Sequence, residues 1–112
     1  MNKVFVYGIL KTGAGKAASI QGDMYDAGFF PAVVNIDNPY AYQTYGEVIE
    51  VSDKTLFNFD RIEGHPTFYC RRRCEAYYLD GTSEPVWVYE YQRDVTNLPE
   101  ILDGNWKRKE AL

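Results

Sequence analysis

The clearest structural signal in the chain lies in residues 52–64, which read SDKTLFNFDRIEG. Ser52 or Asp53 can cap the N-terminus of a helix, and apolar residues then recur every three positions from Leu56 to Ile62. Gly64 follows as a stop signal, reinforced by a proline two residues later. The pattern predicts one helix over residues 53–63.

The sequence on both sides of this helix favours β-strands. We predict strands over residues 3–7, 45–51, 68–79 and 85–92, and a shorter one within 29–36. Residues 11–16 are predicted as a loop, and 17–25 stay ambiguous, with a short strand and a turn favoured there. Ten tyrosines, six phenylalanines and two tryptophans in 112 residues also favour strands. The prediction is a single α+β domain over residues 1–112: a strand-rich barrel or curved sheet with one or two short helices, and a frayed tail at 107–112.

Composition excludes several classes of protein. With 12 Lys and Arg against 16 Asp and Glu, the formal net charge is −4, which argues against a nucleic-acid binder that works by counterion release. No apolar run reaches the ~20 residues of a membrane span, so we expect no membrane partner. Cys70 and Cys74 would lie ~13 Å apart on one strand, too far for a disulfide. Two free thiols suit a reducing compartment, so we expect a cytoplasmic protein.

The sequence contains few residues of the types that bind metals, and one short run of basic residues. His65 is the only histidine, and two cysteines on one strand would need further soft ligands to hold zinc, so we predict no zinc site. A papain-like pair of one cysteine with His65 stays an alternative that lacks a third, orienting group. Small core residues are the simpler interpretation of Cys70 and Cys74. For the basic run at residues 71–73, a solvated face with a cross-strand ion pair is favoured over an anion site.

Glu63 is the candidate for acid–base chemistry. It occupies the last turn of the predicted helix, where the negative end of the helix dipole disfavours a carboxylate. Such a position should raise its pKa towards the range of a proton shuttle that works near neutral pH. The alternative is an ordinary surface glutamate at a helix end.

A second candidate is the turn that follows the first strand, at Tyr7 and Gly8. Glycine allows a ligand to approach the backbone closely, and successive N–H groups in such a turn can bind an anion. Taken alone this signal is weak, since many strands end in glycine.

Taken in order, these motifs resemble the γ-glutamylcyclotransferase-like family, which includes γ-glutamylamine cyclotransferases and AIG2-like proteins. The family's Tyr-Gly-(Ser/Thr)-Leu is matched by Tyr7-Gly8-Ile9-Leu10, with isoleucine in place of the hydroxyl residue. Its helix ending in Glu-Gly is matched by residues 59–64, FDRIEG. Further matches are GDMYDAGFFPA at 22–32, GEV at 46–48, YCR at 69–71, WVY at 87–89 and GNW at 104–106.

The resemblance implies a fold, a reaction and a set of site residues. The fold would be a small mixed β-barrel with helices packed outside it. The reaction would release an amine or amino acid from a γ-glutamyl compound and form 5-oxoproline, by attack of the substrate's α-amine on its own γ-carbonyl. Glu63 would be the general acid and base, and the backbone of Tyr7, Gly8, Ile9 and Leu10 would bind the glutamyl carboxylate or oxyanion. Tyr69 and Tyr89 would line the pocket.

The resemblance implies that the protein acts on a small γ-glutamyl molecule and needs no cofactor. We expect the protein to be a monomer or a homodimer. Two alternatives remain open on the same fold. One is another enzyme that processes amide-linked amino acids, and the other is a non-catalytic binding module that keeps the pocket. The presence of Glu63 favours the enzymes, because a pure binder has little reason to hold a buried acid there.

Overall fold

The computed structural model describes residues 1–8, 11 and 13–107, which form eight strands and one helix. The predicted tail at 107–112 falls outside the described residues from position 108 onward. In chain order the elements are β1 (Asn2–Val6), β2 (Lys16–Gln21), β3 (Asp23–Asp26), β4 (Pro31–Val34), β5 (Gln43–Val51), α1 (Asp53–Glu63), β6 (Tyr69–Tyr78), β7 (Ser83–Tyr91) and β8 (Glu100–Ile101).

Five strands close into a barrel in the order β1-β5-β2-β6-β7. Neighbouring strands run antiparallel except at the closure, where β1 meets β7 in parallel through Val4 and Trp87. A second sheet of three strands, in the order β4-β3-β8, stands beside the barrel. The predicted α+β class and mixed β-barrel are confirmed, with one helix in the described part of the chain.

Strand β1 is buried on both faces, which explains its continuous apolar sequence. Phe5, together with the neighbouring Tyr7, belongs to a cluster to which all five barrel strands contribute, and this cluster fills the interior. Val4 and Val6 point the opposite way and join a second cluster that contains Leu56 of α1. The helix therefore lies on the outer face of the barrel, and Asp53 at its start accepts a hydrogen bond from Asn2 of β1 at 2.7 Å.

The predicted helix is confirmed at both ends. The Ser52 hydroxyl accepts a hydrogen bond from the Thr55 N–H at 3.2 Å, so Ser52 rather than Asp53 is the cap. Gly64 adopts the left-handed conformation (φ 67°) and donates its N–H to the Arg61 carbonyl. The chain leaves the helix directly after Glu63, so this side chain stands at the helix end. No helix among the described residues has the length and apolarity to cross a membrane.

Two stretches differ from the sequence-based expectation. Residues 16–21 form β2, although Lys16 was assigned to the loop and residues 17–25 were ambiguous. Its small residues have little intrinsic strand preference, and six paired positions along β5 place them in the barrel. The strand predicted within 29–36 is shorter, because it starts only at Pro31, and Phe29 lies 92% exposed in the preceding turn.

Loss of the helix cap should weaken the fold by a measurable amount. In Ser52→Ala the Thr55 N–H loses its protein acceptor, so we expect the free energy of unfolding to fall by about 1 kcal/mol. Lys54→Ala, in the exposed first turn of the same helix, is the matched control and should change stability by less than about 0.5 kcal/mol. Urea titration measures both, and equal losses would contradict the assigned cap.

Candidate active site

A pocket opens where the C-terminal ends of β1 and α1 meet. Its empty volume is about 360 Å³, including the open mouth. Of the seven predicted site residues, five line it: Tyr7, Gly8, Glu63, Tyr69 and Tyr89. The other two, Ile9 and Leu10, lie outside the described residues. Three lining residues were not predicted: Phe5, Val6 and Pro31.

Glu63 gives this pocket its chemical character. Of the lining residues that the structure describes, it alone carries a formal charge. Its carboxyl is half-buried, and burial raises its pKa above the ordinary value. It makes no hydrogen bond or ion pair with another described residue. Its oxygens are therefore free to take and return a proton.

The three tyrosines of the pocket are held by fixed acceptors. The Tyr7 hydroxyl donates to the Tyr89 carbonyl at 2.5 Å, and the Tyr69 hydroxyl donates to the Pro31 carbonyl at 2.7 Å. The Tyr89 hydroxyl donates to Asp60 Oδ1, also at 2.7 Å. Burial, with a smaller contribution from the Glu63 charge, raises the pKa of all three phenols. The three phenols therefore remain neutral at physiological pH.

Behind the pocket, Asp60 connects the helix to the barrel. One carboxylate oxygen accepts from Arg71 Nε at 2.9 Å as well as from Tyr89, and the other accepts from Arg71 Nη2 at 3.1 Å. The Arg71 guanidinium also lies over the Trp87 ring, 4.2 Å from its centre. The Arg71 backbone N–H donates to Nδ1 of His65. Sequence reasoning missed the Asp60–Arg71 pair, and the spacing from helix to strand contains no signal that could have revealed it.

Arg72 and the cysteines follow their simpler interpretations. For Arg71 the solvated, cross-strand interpretation is wrong, because its side chain is only 20% exposed and pairs with Asp60 of the helix. Arg72 pairs across the strands with Glu90 at 2.5 Å, and its side chain is 55% exposed. Cys74 packs in the barrel interior, where burial raises its pKa to about 12, and Cys70 is a half-buried free thiol. Among the described residues, no group of three or more metal-ligating side chains converges.

Position 8 needs a glycine because the backbone there lies very close to another residue of the protein, rather than to a ligand. A Cβ added at Gly8 would lie 2.8 Å from Cγ of Pro31. The glycine thus allows the end of β1 to press against β4 at the pocket wall. The Lys11 N–H then donates to the Gly8 carbonyl at 2.9 Å, which closes a turn at this point.

Comparison with known proteins identifies the family. A family model described as "Gamma-glutamyl cyclotransferase, AIG2-like" matches residues 4–108. The chain belongs to this family. A protein of Methanocaldococcus jannaschii is 31% identical, with 92% of this chain and 95% of that protein aligned. The γ-glutamylcyclotransferase family protein YtfP of Escherichia coli K12 is 29% identical over 93% of this chain and 95% of its own.

Solved structures of the γ-glutamylcyclotransferase family share the fold. The solution structure of E. coli YtfP aligns with a TM-score of 0.67 and 28% identity, covering 93% of this chain and 95% of that one. The crystal structure of an AIG2-like protein from mouse aligns with a TM-score of 0.69 and 23% identity, covering 96% of this chain and 88% of that one. The suspected family membership is thereby confirmed.

The Asp60–Arg71 pair should contribute more to stability than the neighbouring Arg72–Glu90 pair. In Arg71→Gln, Asp60 loses two charged hydrogen bonds in a setting where its side chain is only 13% exposed, so we expect a loss of about 2–3 kcal/mol. Arg72→Gln is the matched control on the same strand. The Arg72 side chain is 55% exposed, and Glu90 keeps a second donor, the Ile36 N–H at 3.3 Å, so the loss should stay below about 1 kcal/mol. Urea titration of both variants tests this, and equal losses would refute it.

The raised pKa of Glu63 makes stability depend on pH. An unfolded chain releases this proton near the ordinary value of 4.5, whereas the folded protein keeps it to higher pH. The contribution of Glu63 to the free energy of unfolding is therefore fully present below that value and is lost as pH rises through the folded pKa. Since Glu63→Gln cannot titrate, its melting temperature should exceed that of the wild type at neutral pH, and the gain should vanish in acid. A difference independent of pH would contradict the raised pKa.

Proposed function

We propose that this protein is a γ-glutamyl cyclotransferase, which releases an amine or amino acid from a γ-glutamyl compound and forms 5-oxoproline. The observation that carries the proposal is Glu63. It is a half-buried carboxyl with a raised pKa in a pocket whose other described lining residues are uncharged. The family match supports the reaction class.

In this reaction the substrate supplies its own nucleophile. Its α-amino nitrogen attacks the γ-carbonyl carbon, the new C–N bond closes the lactam ring, and the C–N bond to the leaving amine breaks. Glu63 accepts the proton that the attacking amine loses and passes one to the leaving nitrogen, so its protonation state is restored. Because the attack is intramolecular, a pocket that holds the glutamyl chain bent supplies much of the rate.

We assign recognition of the glutamyl group to the first turn of the chain. Backbone N–H groups of Tyr7, Gly8, Ile9 and Leu10 would bind its carboxylate and stabilise the oxyanion that forms on the γ-carbonyl. Tyr69 and Tyr89 would be neutral walls that confine the chain. Their hydroxyls already donate to Pro31 and Asp60, which supports a shaping rather than a proton-transferring role.

The proposal extends to partners and location. The substrate is a small γ-glutamyl molecule, no cofactor takes part, and the net charge of −4 favours no nucleic-acid partner. Because Cys70 and Cys74 are free thiols, we propose a cytoplasmic location. The oligomeric state that we propose is a monomer or a homodimer.

Replacement of Glu63 by glutamine tests the reaction directly. Glu63→Gln keeps the shape of the side chain but cannot carry the proton, so kcat should fall by about 10²–10⁴-fold while binding of 5-oxoproline changes far less. The assay incubates the protein with a library of γ-glutamyl amines and γ-glutamyl amino acids and detects 5-oxoproline by mass spectrometry. In the wild type, kcat/KM should decline as pH falls through the raised pKa of Glu63, because the base is then protonated.

Glu75→Gln provides the control, since this acid lies on β6 and its contact is with the exposed Ser83. It should retain full turnover. Near-full activity of Glu63→Gln would refute the acid–base role. A wild type that binds 5-oxoproline but turns over none of the library would favour the non-catalytic binding module.

A further inference from the structure

A second acid near the pocket has no part in the reaction proposed above. Glu47 lies in the middle of β5 and is only 6% exposed. Its two carboxylate oxygens both accept from the backbone N–H of Gly13, at 3.1 and 3.0 Å. A buried carboxylate is costly unless hydrogen bonds compensate it, and bonds from N–H groups to an ionised acceptor are among the stronger ones. The contact therefore ties the segment around Gly13 firmly to β5.

Glu47 is a cross-strand neighbour of the pocket wall. It pairs directly with Val6 of β1, and Val6 lines the pocket. Directly paired residues present their side chains on the same face of a sheet, with Cβ atoms about 5 Å apart. Glu47 thus belongs to the same outer face as the pocket, one strand away from its wall.

The chain between β1 and β2 leaves the pocket at Gly8 and returns over Glu47. Its described residues are fixed at three points. These are the hydrogen bond from Lys11 to Gly8, the hydrogen bond from Gly13 to Glu47, and a close van der Waals contact of Gly15 with β5. A Cβ at Gly15 would lie 2.9 Å from Ile49 Cγ2 and 3.0 Å from Glu47 Cβ. Gly13 and Gly15 are therefore held against β5.

We propose that Glu47 is a positioning residue for substrate recognition. Its carboxylate anchors the returning segment at Gly13 and thereby sets the orientation of the backbone N–H groups of Tyr7 and Gly8. This inference rests on the proposed function, which assigns those groups to the glutamyl carboxylate. Glu47 itself neither touches the substrate nor exchanges a proton with it.

The test compares Glu47→Gln with Glu50→Gln, an exposed acid on the same strand. Glu47→Gln replaces the charged acceptor of the Gly13 N–H by a neutral amide oxygen, so the weakened anchor should raise KM for a γ-glutamyl amine about tenfold and weaken 5-oxoproline binding similarly. We expect kcat to change less than about threefold and its acid limb to stay in place, because Glu63 is intact. Glu50→Gln should match the wild type. Ser52→Ala, destabilised at the helix cap, should also keep the wild-type KM, which separates positioning from stability.

Gly15→Ala provides a second route that retains the Glu47 carboxylate. The added methyl group would collide with β5 and displace the segment from it, so KM should rise as in Glu47→Gln. Amide NMR supplies a readout that does not depend on turnover: the Gly8 and Gly13 resonances should shift in both variants and stay fixed in Glu50→Gln.

The outcomes separate the two proposals. A wild type that is active, with unchanged KM and an unshifted Gly8 amide in Glu47→Gln, would overturn the positioning role and leave the proposed function intact. A fall in kcat at constant KM would overturn it as well. If the wild type neither turns over γ-glutamyl compounds nor binds 5-oxoproline, both proposals fail together.

Discussion

The carboxylate of Asp60 joins the helix to two strands of the barrel, and the geometry of the pocket depends on this junction. Arg71 on β6 and Tyr89 on β7 both donate to it. Asp60 and Glu63 are three positions apart, and residues at that spacing lie on the same side of a helix. The bonds that dock Asp60 onto the sheet therefore also direct Glu63 towards the pocket. Gly64 ends the helix at once, so nothing further along α1 covers that side chain.

The two acids near this junction differ in how many hydrogen-bond donors surround them. Asp60 is surrounded by donors, whereas Glu63, one turn away, has none among the described residues. The pKa of Glu63 is raised because no donor in the described part of the chain offsets the burial of its carboxyl. The same contrast extends to Glu47, whose oxygens are held by a backbone amide. Asp60 thus docks the helix, while our proposals assign proton transfer to Glu63 and anchoring to Glu47.

Close backbone approaches complete the site. Gly8 presses against Pro31, and Gly15 presses against β5, so the chain on either side of the first turn is held by van der Waals contact. Tyr7 and Tyr69 add hydrogen bonds to the backbone of β7 and of Pro31. A pocket with walls tied to each other in this way is preorganised, which is what an intramolecular cyclisation needs.

What could be predicted from sequence had local causes. The helix from Asp53 to Glu63 was predicted at both ends, because a capping serine, a three-residue apolar period and a C-terminal glycine act within a few residues. The barrel strands with strong alternation were also found, with bounds off by one or two residues. Ordered motifs along the chain indicated the family, and with it the residues that meet in the pocket.

The sequence by itself determined the helix, the strand-rich class and the identity of Glu63 as the acid at a helix end. Only the tertiary structure decided where the polar side chains find partners. Strand β2 is fixed by its pairing with β5 and β6, because most of its residues have little strand preference of their own. Asp60 meets Arg71 eleven positions away, and Glu47 meets Gly13 thirty-four positions away. Such contacts depend on how the barrel closes, and no local pattern of residues encodes which distant positions will meet.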